Sequence, residues 1–183
     1  MKKPDQTKNG ITWVSHKNLP EAQREQVKLS TQGTFDMTDN TPASFTVTPE
    51  DQRLDFLPDL VAGNIKALTS YEHGIYNMMH NTTNGAYSGG YWEFITFSNG
   101  AKAMIIDDNQ KVEVMQPSNG YQGEMTLKAL SLAINAMMCS LLSFSTEGAT
   151  QAELANNYHN LMDMISQCPP FNSEAGEIWA FLD

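Results

Sequence analysis

The spacing of apolar residues changes character along the chain, and each change marks a predicted element. Up to residue 47 no period is sustained. Thr, Asn, Gln and Lys are frequent there, and one short helix, from Pro20 to about Leu29, is predicted by a proline at the first helical position and Glu21 in the first turn. Thr48-Pro49-Glu50-Asp51 has the form of a helix start, with Thr48 as N-cap and Pro49 at N1. That helix is expected to stop before Pro58, because proline lacks an amide donor and crowds the preceding turn. From Asn64 onward Ile65, Leu68, Ile75, Tyr76 and Met79 form one helical stripe that ends near Asn81.

A two-residue period governs the centre. Residues 91–97 are aromatic and β-branched, and Asn99-Gly100 is a strong two-residue hairpin signal. Residues 101–106 supply the return strand, 107–110 a turn, and 111–116 an alternating third strand, so a three-stranded antiparallel meander is predicted. Both faces of the first strand are apolar, which calls for helical cover on at least part of each side. Thr126 then caps a helix running to about Phe144 that is apolar almost all round and should sit centrally. Thr150-Gln151-Ala152-Glu153 reads as a capping box opening a second helix, through Leu154, Tyr158, Leu161 and Ile165 to about Gln167. Pro169-Pro170 breaks the chain, and Ser173 is placed to cap a short terminal helix carrying Ile178, Trp179 and Leu182. The expected fold is α+β: a small three-stranded antiparallel meander sheet packed with four to five helices. It forms a single compact domain over 48–183, with residues 1–47 as a partly ordered N-terminal extension.

Composition supports this picture and narrows the function. A chain of 183 residues can bury a core without disulfides or a structural metal. Charge is unevenly placed. Residues 1–49 carry six Lys/Arg against five Asp/Glu, whereas 50–183 carry five against sixteen. No Lys or Arg follows Lys128, while six acids do, from Glu147 to Asp183. Nucleic-acid binders need clustered cations to displace phosphate counterions, so direct nucleic-acid binding is not expected. Cys139 and Cys168 make neither a disulfide framework nor a metal knuckle, and Cys139 is expected to be a buried thiol. No apolar h-region follows the N-terminal lysines, and residues 129–144 are too short and too polar for a membrane span, so a cytoplasmic protein with no membrane partner is expected.

Catalytic signatures are absent from the sequence. It contains no P-loop, dinucleotide fingerprint, Gly-x-Ser-x-Gly elbow or His-Glu-x-x-His. The glycine-rich run 84–90 leads into a strand rather than a helix, so a tight approach to the sheet is favoured over a phosphate cradle. His16, His73, His80 and His159 are scattered; the seven-residue gap between His73 and His80 is too wide for one metal. His159, beside Tyr158, is either a solvated histidine or the general base of a site whose other members are not visible in sequence. Nine of the eleven methionines lie between residues 78 and 164 and are read as core filler, with an adaptable binding surface as the alternative.

Tyr87-Ser88-Gly89-Gly90-Tyr91-Trp92-Glu93-Phe94, followed by Phe97-Ser98-Asn99-Gly100, resembles the ArdB/KlcA antirestriction family, whose pattern is Tyr-x-Gly-Gly-x-Trp-x-Phe, an aliphatic residue and Ser-Asn-Gly. Three further segments agree in order. Pro49-Glu50 with Arg53, Phe56 and Pro58 is similar to the family's opening helix. Asn119-Gly120 with Glu124-Met125-Thr126 is similar to the approach to its long helix, and Tyr158, Leu161 and residues 178–183 to its ending. The resemblance spans residues 48–183. It departs from the family in the extension 1–47 and in the proline that often follows the sheet motif, absent here. It implies a compact α+β domain with a small antiparallel sheet, carriage on mobile elements such as plasmids, and relief of type I restriction of incoming DNA. No enzymatic activity is established for that family, and neither a cofactor nor a metal is expected from the residues.

The expected function is therefore non-enzymatic antirestriction through a protein partner, either the type I restriction machinery or a host factor it depends on. Oligomeric state is left open. Tyr87, Gly89, Gly90, Trp92, Phe94, Ser98, Asn99, Gly100 and Glu124 are the family-motif residues, expected to be mainly structural. Glu153, Asp163, Glu174, Glu177 and Asp183 are the candidate partner-binding acids, and Glu153, Asp163 and Glu174 are each expected on a solvated face of their helix. DNA mimicry by carboxylates ranks second, because six acids over 55 residues are sparse. The alternatives are a hydrolase-type enzyme with a His159-centred site and an inhibitor module against another host defence.

Overall fold

Everything in the fold is arranged around one apolar helix. The computed structural model describes residues 42–183; the helix predicted at 20–29, and His16, lie outside that span. In chain order the elements are β1 (Phe45–Val47), a 3-10 turn (Glu50–Gln52), α1 (Arg53–Leu60), α2 (Ile65–Thr82), β2 (Glu93–Phe97), β3 (Lys102–Ile105), β4 (Lys111–Gln116), β5 (Tyr121–Thr126), α3 (Leu127–Ser145), α4 (Gly148–Gln167), a 3-10 turn (Phe171–Glu174) and α5 (Ala175–Leu182). Helix α3 is the axis. Length and composition alone would suit it to a membrane, yet more than half of its apolar stretch is buried inside the domain. Helices α2, α4 and α5 and strand β3 pack around it. Thr126 caps it as expected, its Oγ1 accepting from Ala129 N at 3.1 Å. Asn64 does the same for α2 at Ala67 N, and Ala67, Tyr71, Ile75 and Met79 form that helix's buried stripe.

The class is α+β with small antiparallel sheets, but the strands are shared out differently from the predicted meander. β2 and β3 form the hairpin closed at Asn99-Gly100, with Gly100 at φ +85°. The third strand of their sheet is β1, paired to the other side of β2 as Phe45↔Phe97 through Val47↔Ile95. β4, expected beside β3, instead pairs with β5 in a separate two-stranded sheet.

The reason lies in the free edge of β3, which side chains of α3 and α4 occupy. Asn135 Oδ1 accepts from Met104 N at 2.8 Å, and its Nδ2 donates to Met104 O at 2.6 Å. Asn157 makes the same paired bonds with Lys102 N and O, at 2.7 and 2.9 Å. Ser131 Oγ accepts from Ile106 N at 3.2 Å. A side-chain amide offers one acceptor and two donors, so each asparagine stands in for one residue of a neighbouring strand. With that edge filled, β4 must find its ladder elsewhere.

Four helix boundaries also differ from expectation. α1 runs through Pro58. The bond lost would go to the carbonyl of Leu54, a residue 87% exposed, so water can satisfy that oxygen. Thr48 is not a cap; its amide extends the sheet by donating to Phe94 O at 2.7 Å. α4 starts at Gly148, and Thr150 lies inside it with Oγ1 donating to Val61 O at 3.1 Å, which ties α4 to the end of α1. Ser173 likewise sits within a 3-10 turn instead of capping α5.

Candidate functional site

The family-motif residues gather where α1, α2 and the hairpin meet. Trp92 is buried and its indole N–H donates to Tyr87 OH at 3.0 Å; the rings of Tyr76 and Tyr87 meet it edge-on at 5.5 and 6.1 Å. Burial raises the Tyr87 phenol above its usual range. Arg53 reaches over from α1, donating to Trp92 O at 2.7 Å and to Tyr91 OH, with its guanidinium above Phe94 at 4.7 Å. Gly89 holds φ +129°, a conformation closed to other residues in ordinary backbone. A Cβ on Gly90 would lie 3.7 Å from Ile106. Ser98 binds Ser44 through backbone and hydroxyl, and Asn99 closes the hairpin turn and donates to Asn160 O at 2.8 Å. Every one of these contacts is made within the domain. Glu124 stands apart: it is exposed on β5, directly opposite Glu113 of β4.

The acids do not share one surface. Glu153 is exposed beside Asp59 and Lys102, at the end of α1. Asp163 is exposed on α4, and Asp183 lines a hollow with Tyr158, Met162 and Trp179. Glu177 is exposed but accepts from Tyr121 OH at 2.5 Å; burial, then this carboxylate, pushes the Tyr121 phenol well above its usual range. Glu174 departs from expectation. It is half-buried, and its two oxygens accept from Thr126 N at 2.8 Å and Thr126 Oγ1 at 2.7 Å. Its carboxylate thus orients the hydroxyl that caps α3. Nothing in the sequence around residue 174 signals this, because the partner lies 48 positions away.

His159 lies on the exposed outer face of α4, its ring edge-on to Tyr158 at 5.3 Å. It shares a hollow with Ser140 and Ser143, but Ser143 Oγ donates to Ser140 O at 2.7 Å. Among the described residues no group of three His, Cys, Asp or Glu is placed to hold a metal. Cys139 is fully buried, and burial pushes its thiol up to about 11.

Comparison with known proteins decides the family. The antirestriction protein family profile matches residues 85–183. The chain belongs to this family. A curated relative, antirestriction protein KlcA of Escherichia coli, is 26% identical over 144 residues, covering 78% of this chain and 95% of that protein. YafX of Escherichia coli K12, an uncharacterized protein, is 28% identical over 147 residues, covering 77% and 93%. Among solved structures, one from work on KlcA and ArdB matches with a TM-score of 0.65 and 26% identity, covering 80% of this chain and 99% of that one. Those proteins are described as having a novel fold and antirestriction activity against type I DNA restriction systems in vivo but not in vitro. The family match begins within the glycine-rich run and takes in the aromatic motif, strands β2 to β5 and the central helix.

Proposed function

We propose that this antirestriction protein relieves type I restriction of incoming DNA in the cytoplasm by contact with another protein, either the restriction machinery or a host factor it depends on, and without catalysis. The observation that carries the reading is the activity described for KlcA and ArdB against type I systems, seen in vivo but not in vitro. An activity of that kind suits a protein whose target is assembled with, or supplied by, other cellular partners. Charge supports the same view. Residues 50–183 carry sixteen acids against five cations, which repels DNA and favours a basic protein surface.

The test is restriction relief by phage plating in a host with an active type I system. The full chain should raise plating of unmodified phage, and His159→Gln should match it. Glu153→Lys with Asp163→Lys should lower relief while the melting curve stays unchanged. Absence of relief by the full chain would overturn the antirestriction reading. Loss of relief in a folded His159→Gln, which keeps a polar side chain of similar size in the hollow but removes the base, would move catalysis to first place.

A further inference from the structure

The outer face of α4 carries a stripe that the core takes up only in part: Tyr158 and Met162 pack against the core on one side and stay half-exposed on the other. Gln151, Ala152, Ala155, Tyr158, His159 and Met162 fall at helical spacing along it and line two hollows of about 490 and 390 Å³ that share Tyr158. The eleven steps from Gln151 to Met162, at about 1.5 Å each, make the stripe about 16 Å long, some three turns of a facing helix. Two large side chains flank its ends without cover: Phe144 at the end of α3 is 86% exposed, and Trp179 of α5 is 40% exposed. Leu141, 50% exposed, extends the apolar surface beyond Phe144. Ala152 and Ala155 line the first hollow with Phe144 and Tyr158, and Trp179 lines the second, a mix of small and aromatic residues suited to a docked helix.

Charge names the occupant. No Lys or Arg occurs anywhere in 129–183. Asp183 lines the groove, while the exposed Glu147 and Asp163 adjoin the lining residues Gly148 and Met162 in sequence. A second copy of this chain would bring the same acids against them.

We propose that this groove binds an amphipathic helix of a partner protein, with apolar anchors at i, i+3/i+4 and i+7 and a flank of lysine or arginine. The inference rests on the protein-contact reading above and names its surface. The aromatics supply the desolvated anchor sites that dominate such interfaces, and the surrounding acids select the basic flank.

The probe is a synthetic 18-residue peptide of leucine and lysine in helical pattern, titrated into isotopically labelled full-length protein. Shifts should concentrate at Ala152, Ala155, Tyr158, Met162 and Trp179, and the same peptide with glutamate for lysine should bind at least about tenfold more weakly. Ala155→Arg, a cation in the groove, should abolish both peptide binding and restriction relief with its melting curve intact. Phe144→Ser, a change at an exposed position, serves as the second variant if Ala155→Arg does not fold. Full relief by either folded variant would overturn the groove while leaving the protein-contact reading standing, whereas no relief by the unaltered chain would overturn that reading itself. Equal binding of the acidic and basic peptides, or a dimer in sedimentation that Ala155→Arg dissolves, would also refute the proposed occupant.

Discussion

Replacing Asn135 by leucine, which has the same branching and number of heavy atoms, tests whether side chains close the sheet. The amide of Asn135 accepts from Tyr71 OH at 2.7 Å and Met104 N at 2.8 Å, and donates to Met104 O at 2.6 Å. Asn135, Tyr71 and Met104 are all buried, so water cannot replace the lost partners. Leucine orphans three polar groups at about 2 kcal/mol each and returns about 2 kcal/mol from apolar burial, for a net loss of about 4 kcal/mol. Against the 5–15 kcal/mol typical of a domain, roughly, this is a large fraction. Urea unfolding followed by circular dichroism should show a much lower midpoint with an unchanged slope. Hydrogen exchange at the Met104 amide should become faster than at β2 amides. Tyr71→Phe, which removes one bond, should cost only about 1 kcal/mol and serves as the internal scale. A variant within about 1 kcal/mol of the parent, with Met104 still protected, would mean that packing alone covers the edge and that the asparagine account is wrong.

Three other outcomes follow from the same structure. Glu174→Ala should cost about 2–3 kcal/mol by freeing the cap of α3, whereas Glu153→Lys should stay within about 0.5 kcal/mol; equal melting temperatures would show that Glu174 is not a clamp. Cys139 has a folded pKa of about 11 against 9.0 for a free thiol, so its stability contribution is complete below pH 9 and lost as pH rises to 11. That amounts to about 3 kcal/mol, and Cys139→Ala should flatten the decline in urea midpoint between pH 8 and 10.5; unchanged decline would refute the assignment. A chain starting at Pro42 should melt cooperatively, while one starting at Thr48 loses Phe45, whose ring lies 5.8 Å from Phe97 and 5.9 Å from Phe171, and should be less stable by about 2 kcal/mol in thermal unfolding; equal stability would put the domain boundary back at Thr48.

What could be read from sequence was whatever depends on near neighbours. Thr126 announces its helix because a cap bonds three residues ahead, and Asn99-Gly100 announces its turn because φ must be positive there. The central position of α3 follows from its apolar residues on every side. Long-range partners left no local mark. Asn157 looks like an ordinary helical polar residue until Lys102, 55 positions earlier, is placed beside it. Thr150 matches a capping box, but a carbonyl of Val61 takes its hydroxyl. β1 spans three residues, too few for any period to register, and β4 alternates clearly without revealing which strand it will join. At the candidate site, the motif residues could be located in advance, while the stripe on α4 could not. Alanine, tyrosine and methionine at helical spacing look the same whether they face a core or the solvent.

The distribution of charge has a consequence for how the molecule behaves in different media. Both ion pairs among the described residues use lysines that precede α3's second turn, Lys102 with Asp59 and Lys128 with Asp107. From there to Asp183 the chain holds only negative charges. In dilute buffer, where the Debye length is about 30 Å, those carboxylates repel one another across a distance comparable to the domain itself; at about 0.15 M salt the reach shrinks to about 8 Å. The folded state is thus eased by the ionic atmosphere of a cell and strained by its removal, so the buffer in which this protein is handled is itself a determinant of how firmly it holds together.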